Sequence, residues 1–222
     1  MADLLPGFTF DRSSHRYRDL STGRYVARER ITQLLDTQVQ ATAEHLSALT
    51  TAAHEGRLAP AVYVQQMRTE LRRLTLQNAA LGAGGFDKLT QSDYGRVGAQ
   101  LRGEYQRLTQ FAEQMKAGDV TLPQALNRAE MYAGTARVQF WATEQAHVQP
   151  SEPGLVVLER RLLGIAEHCG DCVYYYDQGW QPLGTLPEPG QESACMSNCK
   201  CRKIRQEVPA DEVSEWIGSK RR

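Results

Sequence analysis

Between Arg28 and His147 the apolar residues recur at steps of three and four, the spacing of helices that each bury one face. Ile31, Leu34, Leu35, Val39, Leu46 and Leu49 predict a first helix from about Arg28, ending near His54-Glu55-Gly56, where Gly56 can take the left-handed position after the helix. A second helix begins around Ala59-Pro60, with proline tolerated in the first turn, and carries Val62, Val64, Met67, Leu71, Leu74 and Leu76 as its buried stripe. Its other face holds Arg68, Arg72 and Arg73 and reads as a solvated side. A third helix covers roughly residues 92–116, with Val97, Leu101, Tyr105, Leu108, Phe111 and Met115 on one side, and Gly118 stops it. Thr121-Leu122-Pro123-Gln124 has capping-box spacing and opens a fourth helix running to about His147, with Leu126, Ala129, Met131, Tyr132, Val138 and Trp141. The junctions at residues 55–60 and 117–123 share a glycine stop, an aliphatic residue and a proline-marked start. They predict two helical hairpins packed as a bundle.

The pattern is absent at both ends. In residues 1–27, Pro6-Gly7 breaks any helix, and Phe8, Phe10, Tyr17 and Tyr25 are spread among polar residues. Residues 17–26 look like two short strands around a Ser-Thr-Gly turn, an extended arm that must lie on its own body or on a neighbouring subunit. Pro150-Ser-Glu-Pro-Gly154 punctuates the chain again, and Leu155–Gly164 is a short apolar segment, strand or helix. The expected architecture is mainly α: an arm over 1–27, a helical body over 28–149, and a cysteine-rich module with a basic tail over 150–222.

Charge and motifs narrow the function. Lysine plus arginine equals aspartate plus glutamate, 26 each, which disfavours a protein whose main task is to coat nucleic acid. A neutral surface does little to repel other copies, as suits a component of an assembly. The N-terminus lacks a secretory signal and no run approaches the ~18 apolar residues of a membrane span, so a soluble protein made in a cytoplasm is expected. Gly82-Ala-Gly-Gly85 lacks the Gly-Lys-Ser/Thr of a phosphate loop and follows a helix, so it reads as a flexible connector. The histidines at 15, 45, 54 and 147 stand singly, and no catalytic set is apparent.

All five cysteines fall within residues 169–201, as Cys169-x2-Cys172 and Cys195-x3-Cys199-x-Cys201. Tetrahedral zinc needs four soft donors about 2.3 Å from the ion, and two short-spaced clusters supply them. The segment between them carries Gly179, Pro182, Gly184, Pro187, Pro189 and Gly190 and cannot build a core of its own, so metal binding would supply much of its folding energy. A disulfide in an oxidised particle and free thiols are the alternatives. For one structural zinc, one of the five sulfurs is spare: Cys169 and Cys172 are the firmest ligands, the rest come from Cys195, Cys199 and Cys201, and His168 is a possible substitute. An all-cysteine set reads as structural rather than catalytic. The basic run Lys200, Arg202, Lys203, Arg205 and the tail Lys220-Arg221-Arg222 keep open a zinc-ribbon nucleic-acid-binding protein, against which stand the net charge and Asp211, Glu212 and Glu215.

The stretch from His168-Cys-Gly-Asp-Cys172 through Gln178-Gly-Trp-Gln-Pro-Leu-Gly to Asn198-Cys-Lys-Cys201 resembles the C-terminal signature of tailed-phage minor head proteins, the head morphogenesis family related to the F protein of phage Mu. In that family a Cys-x-x-Cys, a Gly/Pro-rich spacer and a closing Asn-Cys-Arg-Cys, often led by His-Pro, follow one another. Here Lys200 replaces the arginine, Met196 stands where the histidine would be, and Cys195 is the donor put forward in its place. Residues 18–26 and the segments 111–118 and 128–132 are similar to the family's arm and helical middle. The resemblance implies a virion protein at the portal vertex or inner capsid surface, made in the host cytoplasm. It would bind portal or capsid proteins and copies of itself, with no membrane role, and would act in assembly rather than catalysis.

Overall fold

A computed structural model describes residues 7–11, 14, 16–196 and 199–220. The expected helices appear as α1 (Arg28–His54), α2 (Pro60–Ala83), α3 (Gln91–Ala117), α4 (Leu122–Thr135) and α5 (Arg137–His147). α4 lies along α1 and α5 along α2, which also packs on α1 and α3. Their shared core holds Val39, Leu46, Met67, Leu71, Leu74, Leu108 and Phe111. Among the described residues no helix is long and apolar enough to cross a membrane.

Three expectations for the helices change. The stripe of α2 runs through Tyr63 rather than Val62, which is 42% exposed. Tyr63 is fully buried because its hydroxyl meets Thr50 Oγ1 at 3.1 Å, so burial leaves no polar group unpaired. The fourth helix is two helices, broken at Ala136. There the Thr135 hydroxyl donates back to the Tyr132 carbonyl (2.7 Å), while the Thr135 carbonyl accepts from Gln100 Nε2 (3.2 Å), so side chains replace the helical ladder. The glycine-rich segment is connector only from Gly84 onward. Gly82 is helical, and a Cβ there would lie 2.3 Å from the Phe140 carbonyl oxygen, which is how α2 and α5 approach so closely. Gly84 closes α2 with φ +88° against the Phe10 ring.

Gly82→Ala therefore has no side-chain tip to push aside, only backbone. We expect it to lower stability by about 1–3 kcal/mol, measured by denaturant unfolding.

The N-terminal region is a folded hairpin rather than an extended arm. β1 (Phe8–Asp11) pairs antiparallel with β2 (Arg16–Asp19), and the Ser-Thr-Gly turn that follows returns the chain so that Tyr25 bridges Arg18. Asp19 Oδ1 fixes that turn by accepting from the Ser21 and Thr22 backbone amides. Phe8, Tyr17 and Val26 pack on Ile31, Leu35, Leu81, Phe140 and Trp141, and the Tyr17 hydroxyl donates to the Leu81 carbonyl (2.7 Å). The described part of this region thus lies on its own body. Met1 to Pro6 fall outside the described residues.

After Gly154 the chain forms β3 (Leu155–Leu162), α6 (Gly170–Asp177), β4 (Gln181–Pro182), β5 (Arg202–Pro209) and α7 (Val213–Trp216). The apolar segment read as strand or helix is a strand: β3 is the centre of a three-stranded sheet in the order β4-β3-β5, antiparallel throughout. One face, with Leu158 and Val208, covers Trp180 and Trp216. The other carries charges: Glu159 is paired across the ladder with Arg205, and Arg161 with Lys203.

Candidate metal centre

The cysteines gather at one end of the β3–β5 ladder, where Leu162 faces Arg202. Cys201 immediately precedes β5, and Cys169 is the residue that caps α6, so Cys172 sits in that helix's first turn. Gly164 lets the two approaches meet, since a Cβ there would lie 2.1 Å from the Lys200 carbonyl oxygen. Gly190, at φ +88°, lies against the Met196 carbonyl and Cys199 Cβ and turns the spacer back toward the cluster.

All five thiols are brought together. Cys172 Sγ is 3.5 Å from Cys195 Sγ and 3.7 Å from Cys199 Sγ, and Cys169 Sγ is 3.6 Å from Cys195 Sγ. Two triads result, Cys169–Cys172–Cys195 and Cys172–Cys199–Cys201, with Cys172 in both. Sulfurs at 2.3 Å from a tetrahedral ion stand about 3.8 Å apart, so the observed spacing fits a shared cation. A disulfide needs about 2.05 Å, and all five cysteines are free. His168 Nδ1 lies 3.9 Å from Cys201 Sγ but belongs to neither triad. Met196 is 55% exposed, and Ser197 and Asn198 of the closing motif lie outside the described residues.

Electrostatics differ across the cluster. The backbone N–H of Cys172, pointing out of the first turn of α6, lowers the Cys169 thiol to about 7, so this group is readily a thiolate. Burial pushes the Cys172 thiol up, and a neutral thiol held among other sulfurs needs a cation to ionise. The donor set suits a soft or borderline ion such as zinc.

Sequence reasoning missed what anchors this centre. Lys203 is fully buried two residues after Cys201, and its ammonium donates to Glu159 Oε2 (2.9 Å), Glu188 Oε1 (2.8 Å) and the Leu186 carbonyl (2.7 Å). The other oxygen of Glu159 accepts the backbone N–H groups of Gly184 and Leu186 at 3.1 and 2.9 Å. The buried Arg161 donates to the Pro187 carbonyl. The proline-rich spacer is thus tied to the sheet by charge-assisted hydrogen bonds at three successive points. The alternation Glu159-x-Arg161 in an apolar strand was the only signal, and it does not reveal its partners.

Most of the basic run is spent within the chain, Lys200 excepted. Arg202 pairs with Glu29 (2.8 Å), Arg205 with Glu144 (2.7 Å), Lys203 with the two glutamates, and Lys220 with Asp177 (2.7 Å). Arg221 and Arg222 lie outside the described residues.

The chain was compared with protein-family models, curated proteins and solved structures. None of them matches.

Proposed function

We propose that this chain is a structural component of a tailed-phage particle, a minor head protein acting at the portal vertex or inner capsid in assembly or head–tail connection, with one structural zinc ion. The observation that carries the structural role is the convergence of five sulfurs at the end of the β3–β5 ladder, at the spacing of a tetrahedral thiolate centre. Four thiolates fill the coordination of zinc and leave no place for substrate, so the ion stiffens a lobe rather than working on a ligand. The residues Cys169-x2-Cys172 and Asn198-Cys-Lys-Cys201, through their resemblance to the head morphogenesis family, carry the assignment to a virion. The zinc-ribbon nucleic-acid reading loses support, because Arg202, Lys203 and Arg205 already hold carboxylates of their own chain.

The test is mass spectrometry of density-banded particles of the phage that encodes the chain. The protein is expected in them at constant stoichiometry to the portal after a high-salt wash. Particles that lack it, with the protein left in the lysate, would overturn the reading.

A further inference from the structure

The solvated arginines of α2 form one wall of a groove against α3. Arg68, Arg72 and Arg102 line it, with Leu101 and the Tyr105 ring between them. Arg68 lies over the Tyr105 ring at 5.2 Å and donates to Thr109 Oγ1 at 2.9 Å, which fixes its guanidinium at the rim. Arg72 and Arg102 are exposed. No carboxylate lines the groove, and none of the three arginines makes an ion pair among the described residues. Neighbouring basic side chains differ: Arg73 is paired with Glu70 and Arg96 with Asp93.

In a chain of zero net charge, such an excess must be balanced by acid elsewhere. One such acidic surface is the turn that joins β5 to α7 with the helix it leads into. Asp211, Glu212 and Glu215 are exposed there, and Asp211 and Glu212 make no ion pair among the described residues. Ile217, 39% exposed, stands beside them. Trp216 packs edge-on against Trp180, so the turn stays on its own sheet.

We propose that the groove between α2 and α3 receives the acidic turn of a second copy of this chain. The exposed Arg72 and Arg102 face Asp211 and Glu212, and Ile217 has an apolar floor of Leu101 and Tyr105 to cover. A phosphate backbone would match the charges but has no apolar group for that floor. Where two copies exchange the contact reciprocally it gives a two-fold dimer; where each uses it once, it builds a ring if the rotation closes and a filament if it does not. Charge pairs at such a rim set partner choice and association rate, and they weaken with salt. The contact does not rest on the virion reading or on the metal.

Sedimentation velocity of the full chain tests it. Concentration-dependent association is expected at about 50 mM salt, with at least a tenfold loss of affinity at about 500 mM. Arg72→Glu with Arg102→Glu should abolish association, and so should Asp211→Arg with Glu212→Arg. Mixing the two variants should restore it, because each then offers the surface the other has reversed. All four positions are exposed, and circular dichroism checks that the variants fold. A wild-type chain that stays monomeric at low salt overturns the proposal. So do reversed variants that associate as before, a mixture that does not recover, or duplex DNA captured by the same arginines while the protein remains monomeric.

Discussion

Replacing Cys172 by serine should release the metal and unfold the lobe from residue 155 onward, while the helical body keeps its own cooperative transition. Cys172 is the one sulfur common to both triads, so its loss leaves neither intact. Structural zinc binding is worth about 10–16 kcal/mol in zinc-finger peptides at pH 7, and where a site forms only on folding that energy is folding energy. The lobe's apolar core is small, a cluster of Leu158, Trp180 and Val208 with Val157 and Leu186 buried outside it, too little to order its proline-rich spacer. The helical body has two apolar clusters, one from α1 to α4 and one from α1, α2 and α5, and neither uses the sulfurs. Native mass spectrometry for the metal and limited proteolysis for the lobe give the readouts. Metal retained at one ion per chain by Cys172→Ser would sink the shared-centre account. Serine at Cys169, Cys195, Cys199 and Cys201 in turn identifies the spare sulfur: the variant that keeps the metal has lost the fifth donor rather than a ligand.

The second large effect is expected at Lys203, which has no exposure and sits between two buried carboxylates. Lys203→Met should cost about 3–5 kcal/mol, the range for removing one partner of a buried ion pair and leaving the other uncompensated. With the ammonium gone, the strongest opposition to burial at Glu188 is lost, and its carboxyl rises further. Burial already holds Glu188 above the usual carboxylate range in the native chain, despite Lys203. A group raised in the folded state favours folding at pH below its unfolded value of about 4.3 and loses that contribution as pH rises. The deficit of Lys203→Met is therefore small in acid and grows toward neutrality. Adding Glu159→Gln and Glu188→Gln should recover much of it. Urea unfolding at two pH values measures all three effects, and a deficit independent of pH would mean that lost packing, not stranded charge, is responsible.

What the sequence revealed follows from how local each signal is. Helix boundaries at Gly56, Gly118 and Thr121 depend on the residues at those positions, and they stand where the spacing put them. The cysteine cluster was legible for the same reason, because short ligand spacings survive any route taken by the chain between them. The break at Ala136 was not, since it depends on Gln100 and Glu104 of another helix reaching Thr135. Val62 and Tyr63 exchanged roles because Thr50, a turn from the end of α1, could satisfy a buried hydroxyl. Gly82 looked like a loop because a glycine needed for close helix packing and one needed for a turn read alike. The charges on β3 carry no local sign of their partners, and only the folded sheet brings Lys203 between Glu159 and Glu188.

X-ray absorption at the zinc edge of the intact purified chain addresses the sulfur centre most directly. The expected spectrum has one zinc per chain with four sulfur neighbours at about 2.3 Å and no oxygen in the first shell. A chain that binds no metal with its thiols reduced, or an ion held partly by oxygen, would contradict a closed thiolate centre fixing this lobe.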